Sequence, residues 1–246
     1  MKRALVLLGL LSLAGCFGGT PVADVPEYIP AFPGYPPITP YAGADCPTVL
    51  AIGDSLMFQA QPYLEDVLAD SGRCATVIEE AVGGTGPIGT GGGVDWQTTL
   101  PTLLALHQPE IVVMEFVGNS NDGQTYGSQS WSSAQKQATL QLIDQAKTLG
   151  TGAQVYVMAA PAAAWFCWFD YYGPFWGEYR AFVRGISAVG HGDWSTYLSP
   201  GDVYARQLSF SGRPYAVRSD DCTHFTERGA EIAAQVTAAA IQNEWQ

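Results

Sequence analysis

Basic residues are the first scarcity. The 246-residue chain has 11 Lys and Arg, three of them Lys, against 23 Asp and Glu, for a formal net charge of −12. Nucleic-acid binding draws its affinity from cations laid along phosphates, so no nucleic acid is expected as a partner, and an anionic lipid surface repels such a chain. Metal motifs are missing as well: neither CxxC nor HExxH spacing occurs. No internal repeat is visible, which excludes solenoids and propellers. No apolar run approaches the ~20 residues that a membrane-spanning helix needs.

What is present starts at the N-terminus. Residues 1–16 read "MKRALVLLGLLSLAGC": a positive start at Lys2 and Arg3, an apolar run, then small residues. This is the pattern of a secretory signal, too short and wrongly flanked to span a membrane. Its ending, Leu13-Ala14-Gly15-Cys16, resembles a bacterial lipobox. That resemblance implies lipidation of Cys16, an exported chain and a lipid anchor on the outer face of the cytoplasmic membrane; an ordinary cleaved signal with secretion is the alternative. Loss of Lys2 and Arg3 with the signal takes the net charge from −12 to −14.

Residues 17–45 are Pro-dense and carry no apolar period. They read as an extended tether, which at ~3.1 Å per residue reaches up to roughly 90 Å. Residues 46–246 are then long enough for one sizeable core, expected as a single, monomeric domain. Cys46, Cys74, Cys167 and Cys222 fall in this part, an even number, and in an oxidising compartment they suggest two disulfides. Cys46 and Cys74 each precede a strand-like run. If those strands are parallel neighbours, the two residues meet at one sheet edge, giving 46–74 and hence 167–222.

Short apolar runs alternate with longer amphipathic ones. Strands are expected at Val49–Ile52, Ala75–Ile78, Ile111–Phe116 and Val155–Met158, with a weakly signalled fifth before Ser219. Helices are expected at Leu56–Asp70, Thr98–Leu106, Ser132–Leu149, Gly177–Val189 and Thr226–Asn243. Alternation of this kind implies βαβ units, hence an α/β fold: a mainly parallel five-stranded sheet sandwiched between two helical layers. Sites in such sheets form at the carboxyl ends of the strands.

Those ends carry chemistry. Gly53-Asp54-Ser55-Leu56 follows the first strand and Gly83-Gly84-Thr85-Gly86 the second. Val117-Gly118-Asn119-Ser120-Asn121-Asp122 follows the third, and Asp221-Cys222-Thr223-His224 precedes the last helix. A serine hydroxyl needs a base to become a nucleophile; imidazole titrates near neutrality and can shuttle its proton; a carboxylate on the other ring nitrogen fixes the tautomer. Asp221, three residues before His224, suits that last task better than Asp220. Ser55 as a plain helix cap is the competing reading. His107 and His191 lack such a context and read as surface or packing residues.

"GDSL", a glycine turn, "GN" and "DxxH", in that order over roughly residues 47–243, resemble the SGNH hydrolase superfamily, the GDSL esterases and lipases. The resemblance implies a three-layer α/β/α fold, with Ser55 as nucleophile, His224 as general base and Asp221 as its orienter. It also implies an oxyanion hole from the Ser55 N–H, a glycine N–H and the Asn119 carboxamide. The glycine is left open between Gly84 and Gly86, and Asn119 is preferred to Asn121 by its distance from the strand. No cofactor is implied, because every reacting group is a protein group. Eight of the twelve residues in "WFCWFDYYGPFW", 165–176, are aromatic. Trp165, Trp168, Phe169 and Tyr172, with Asp54, are expected to bind substrate; Asp54 also suits a cap or brace of the turn, the rings also suit a local mini-core, and a 167–222 disulfide would tie that loop to the His224 turn. The expected substrate is an O-acyl ester of an envelope glycan or glycolipid. Lipid esters, and acyl transfer to a sugar hydroxyl, are the alternatives.

Overall fold

The computed structural model describes residues 23–25, 46–70, 74–117, 119, 129–150, 152–162, 173–187, 189–210 and 213–243. In chain order the elements are β1 (Ala23–Val25), β2 (Thr48–Gly53), α1 (Ser55–Asp70), β3 (Thr76–Glu79) and α2 (Trp96–His107). β4 (Ile111–Glu115), α3 (Gln129–Leu149), β5 (Gln154–Ala159), α4 (Gly173–Arg184) and β6 (Gly190–Asp193) come next. α5 (Trp194–Leu198), β7 (Gln207–Phe210), β8 (Arg213–Ala216) and α6 (Glu227–Asn243) complete the fold.

Five strands form one sheet in the order β3-β2-β4-β5-β6, every neighbour parallel. β2, β4 and β5 are apolar through their middles because both of their faces are covered, and from Val49 to Gly53, Ile111 to Glu115 and Val155 to Ala159 every residue is buried. α1, α5 and α6 pack together on one face, and α2, α3 and α4 on the other. This is the three-layer arrangement that the βαβ alternation implies.

The fifth strand of this sheet differs from the expectation. It is β6, "GHGD", rather than the stretch before Ser219. Two glycines, a histidine and an aspartate carry no strand signal. The segment is extended because it pairs with Tyr156–Ala159, and Gly192 is needed where a Cβ would stand 2.4 Å from the Met158 sulfur. His191, read as a packing residue, is buried there, with Nε2 2.7 Å from the Ile186 carbonyl. The stretch before Ser219 is β8, antiparallel to β7 in a separate three-stranded sheet. Ala23–Val25, inside the Pro-rich stretch, is the third strand of that sheet, parallel to Leu208–Phe210.

A disulfide joins Cys46 to Cys74, with Cα atoms 4.8 Å apart. The two residues lie just ahead of β2 and β3, whose register sets Thr48 opposite Thr76. Cys222 is also disulfide-bonded, and Cys167 and Cys16 lie outside the described residues. Among the described residues no helix is long and apolar enough to cross a membrane, and no cluster of metal-ligating side chains occurs.

Candidate active site

β2 ends at Gly53, where the chain has no room for a side chain: a Cβ there would lie 2.3 Å from the Glu115 carbonyl oxygen of the neighbouring strand. Asp54 then turns the chain into α1. Its Oδ1 accepts from Leu56 N–H at 2.9 Å, and its Oδ2 from Val117 N–H at 2.7 Å and from Asn119 Nδ2 at 3.4 Å. Ser55 is the first residue of the helix, and no partner of its own N–H is found among the described residues.

Asp54 has two readings from the sequence, substrate contact and a cap or brace of the turn, and its contacts fit the brace. Asp54 is 0% exposed and its oxygens are engaged by backbone N–H groups and Asn119. It joins the ends of β2 and β4. Burial pushes its carboxyl up to about 6, against the pull of the Leu56 and Val117 amides. Glu115, the last residue of β4, is also 0% exposed and lies against Asp54. Burial first, and then the Asp54 charge, push Glu115 well above the usual carboxylate range.

The glycine segment follows β3. Val82 to Thr85 form a turn, Thr85 N–H donating to the Val82 carbonyl at 3.4 Å, with Gly84 at φ +76 in its third position. A type II turn needs a positive φ there, which glycine adopts without strain. The turn is anchored by the buried Thr85 hydroxyl, 2.9 Å from the Gly53 carbonyl and 2.7 Å from that of Val82. Gly83 faces Ser55: a Cβ on it would lie 3.7 Å from the serine Cβ. Gly86 packs elsewhere, its Cα so close to Asn119 that a Cβ would fall 1.3 Å from the Asn119 carbonyl oxygen. The Gly83–Gly84 turn is thus the part beside Ser55, and Gly86 sets the backbone of Asn119. Gly83 was not foreseen; the signal available was the adjacent glycine pair, which a type II turn can use at both central positions.

His224 comes from a loop closed by an isolated antiparallel bridge, Arg218 with Phe225. Its Nε2 is 2.9 Å from Ser55 Oγ, although 169 residues separate them. Its Nδ1 is 2.6 Å from Asp221 Oδ2. Asp221 Oδ1 accepts from the Ser219 hydroxyl at 2.5 Å and from the N–H groups of Thr223 and His224, each at 2.9 Å. Burial pushes the Asp221 carboxyl up, but the bonds from Ser219, His224 and Thr223 outweigh it and hold Asp221 well below the usual range. Cys222 sits at φ +60, a left-handed turn that non-glycine residues seldom adopt, and this folds Asp221 back onto the imidazole. Asp220 points away and pairs with Arg206.

Arg218, which carried no sequence signal, lies buried beneath this loop. It donates to the carbonyls of Thr223 and Ala162, each at 3.0 Å, and burial lowers its guanidinium to about 10. Glu115, also missed, did carry one: a lone acid in the fully apolar run "IVVMEF". Trp165, Trp168, Phe169 and Tyr172 lie outside the described residues, as does Asn121. His107 is half-buried, 3.9 Å from Glu80 and apart from this rim.

A hydroxyl, an imidazole and an ionised carboxylate in one hydrogen-bonded chain can move a proton off the hydroxyl. The Gly83–Gly84 turn lies beside Ser55, and the Asn119 carboxamide reaches Asp54, the residue before it.

The chain is similar in fold to several solved enzymes at low identity. A family 3 carbohydrate esterase of Clostridium thermocellum matches at 15% identity and TM-score 0.53, over 78% of this chain and 93% of that one. The periplasmic domain of a lipopolysaccharide acetyltransferase of Salmonella ser. Paratyphi A matches at 13% and TM-score 0.56, over 76% and 80%. A family two carbohydrate esterase of Clostridium thermocellum, in complex with cellohexaose, matches at 15% and TM-score 0.51, over 83% and 67%. No curated protein matches by sequence. The model of the family described as "Protein of unknown function (DUF459)" matches residues 48–240, most of the chain, so this protein belongs to the DUF459 family and has the three-layer α/β/α fold of the SGNH hydrolases.

Proposed function

We propose that the protein is a serine esterase that cleaves O-acyl esters through an acyl-serine intermediate. The observation that supports this most directly is the chain of short contacts from Ser55 Oγ to His224 Nε2, 2.9 Å, and from His224 Nδ1 to Asp221 Oδ2, 2.6 Å. His224 takes the Ser55 proton as Oγ bonds to the ester carbon. The carbonyl oxygen becomes an oxyanion, met by the Ser55 N–H, an N–H of the Gly83–Gly84 turn and the second Asn119 Nδ2 hydrogen. The C–O bond to the alcohol breaks, and His224 returns the proton to the departing alkoxide. Water then enters, gives its proton to His224 and bonds to the acyl carbon. Collapse releases the acid and restores Ser55. Asp221, held anionic, keeps the proton on Nδ1 and favours the imidazolium.

For the substrate we favour an O-acyl ester on an envelope glycan or glycolipid. The aromatic stretch 165–176, the net charge of −12 and the lipobox-like Leu13–Cys16 support this choice. The lipobox-like ending supports an exported, Cys16-anchored chain, with Ala23–Val25 docked on β7 and only the residues around that strand left to act as a tether.

The test is hydrolysis of p-nitrophenyl acetate, longer acyl esters and acetylated sugars by the full chain. Hydrolysis should be lost in both Ser55→Ala and His224→Ala. Equal rates for wild type and Ser55→Ala would sink the proposal. Acylated sugar formed in place of free acid, on adding a sugar acceptor, would assign transfer instead of hydrolysis.

A further inference from the structure

Ser55 and Gln59 stand one helical turn apart on α1 and project from the same face. The Gln59 carboxamide meets the main chain of Phe225 at both ends. Its Nε2 donates to the Phe225 carbonyl at 3.1 Å, and its Oε1 accepts from the Phe225 N–H at 2.9 Å. Phe225 follows His224 directly in the chain. The helix that carries the hydroxyl is therefore tied to the residue beside the imidazole by two bonds, across 166 residues of sequence.

Phe225 is itself fixed from the other sides. Its buried ring lies 4.7 Å from the Arg218 guanidinium carbon and packs edge-on against the buried Trp194, with ring centres 5.8 Å apart. Main-chain bonds close the same loop: Ser219 N–H to the His224 carbonyl at 2.9 Å, and Thr226 N–H to the Val217 carbonyl at 3.2 Å.

We propose that Gln59 is a positioning residue that sets the spacing between Ser55 and His224, an inference that rests on reading those two as nucleophile and base. The Ser55–His224 contact cannot set this spacing alone, because its proton leaves and its oxygen changes partner in each cycle. A clamp outside the chemistry persists through every step. A carboxamide suits it, since it offers an acceptor and a donor side by side to the N–H and C=O of one residue. An ionised carboxylate offers acceptors only and faces the Phe225 carbonyl with like charge.

The test compares full-chain wild type, Gln59→Leu, Gln59→Glu and Ser55→Ala. It measures labelling of Ser55 by a fluorophosphonate, kcat and KM on p-nitrophenyl acetate, and Tm. In labelling, Oγ bonds to phosphorus, fluoride leaves, and the serine proton passes through His224 to solvent. Gln59→Leu should label and turn over about 10–100-fold more slowly, with KM within about twofold, as expected for reacting groups shifted by a fraction of an ångström to an ångström. Gln59→Glu should be as slow at neutral pH. As pH falls through the carboxyl range, its rate relative to wild type should recover, because a protonated acid both donates and accepts; the Gln59→Leu ratio should stay flat. If Gln59→Leu does not fold, the Gln59→Glu series alone decides. Labelling of Gln59→Leu at the wild-type rate, or no recovery in Gln59→Glu, overturns the inference and leaves the esterase reading standing. A wild type as inert as Ser55→Ala to both probe and ester overturns both.

Discussion

Asp54 precedes Ser55 in the chain and Asp221 is linked to it through His224, and their carboxyls are driven in opposite directions. Asp54 lies behind the strand ends, 0% exposed, where burial raises it to about 6. The Asp221 side chain is 43% exposed, and three donors on Oδ1 and the His224 ring on Oδ2 hold it well below its ordinary value. The residue type is the same; the number of donors and the access of water decide the outcome. The buried carboxyl ties strand ends together, and the wetted one holds the His224 ring.

Asp221→Asn should separate the two roles most sharply. It keeps the shape of the side chain but removes the charge that favours the imidazolium and offers an N–H where the ring needs an acceptor. The analogous change in a serine-protease triad costs about 10⁴-fold in kcat. We expect a loss of about 10³-fold or more in ester kcat, with Tm changed by a few degrees at most. Unchanged kcat would mean that Asp221 only shapes the loop.

Asp54→Ala should invert that pattern. It strips the acceptor from the buried Leu56 and Val117 amides, at roughly 1–3 kcal/mol for each group left unpaired. Chemical denaturation should show a loss of stability larger than that of any Asp221 variant. A stable Asp54→Ala protein would break the division of roles drawn here.

The smallest expected effect concerns pH. Glu115 has a folded-state pKa raised above its unfolded one, so its contribution is fully present below the unfolded value and is lost as pH rises through the folded value. Asp54, raised to about 6, acts in the same direction. Wild-type Tm should therefore fall on going from about pH 5 toward alkaline pH. Glu115→Gln, which mimics the protonated acid, should flatten part of that fall. An unchanged slope would mean that the pair does not titrate in this window.

Much of this rim was legible in the chain because its parts are local. Apolar runs of strand length ended at Gly53-Asp54-Ser55, at the glycines and at Asn119, and Asp221 with His224 lay within one loop. The strand-end rule needs only that order. The signal failed where a residue is defined by a partner far along the chain. β6, "GHGD", is a strand only through its bonds to β5. Gln59 and Arg218 look like ordinary polar residues until Phe225, Thr223 and Ala162 are brought to them. The glycine segment lies between these cases: its turn was readable, but which glycine faces Ser55 was not.

By itself the sequence determined the class of fold, the candidate reactive side chains and their order, because hydrophobic period and local turn chemistry act over a few residues. Tertiary structure alone decided the 2.9 Å between Ser55 and His224, the burial that separates Asp54 from Asp221, and the clamp of Gln59 on Phe225. Those depend on contacts between segments 63 to 169 positions apart, whose geometry exists only once α1, the sheet and the loop before α6 have packed together.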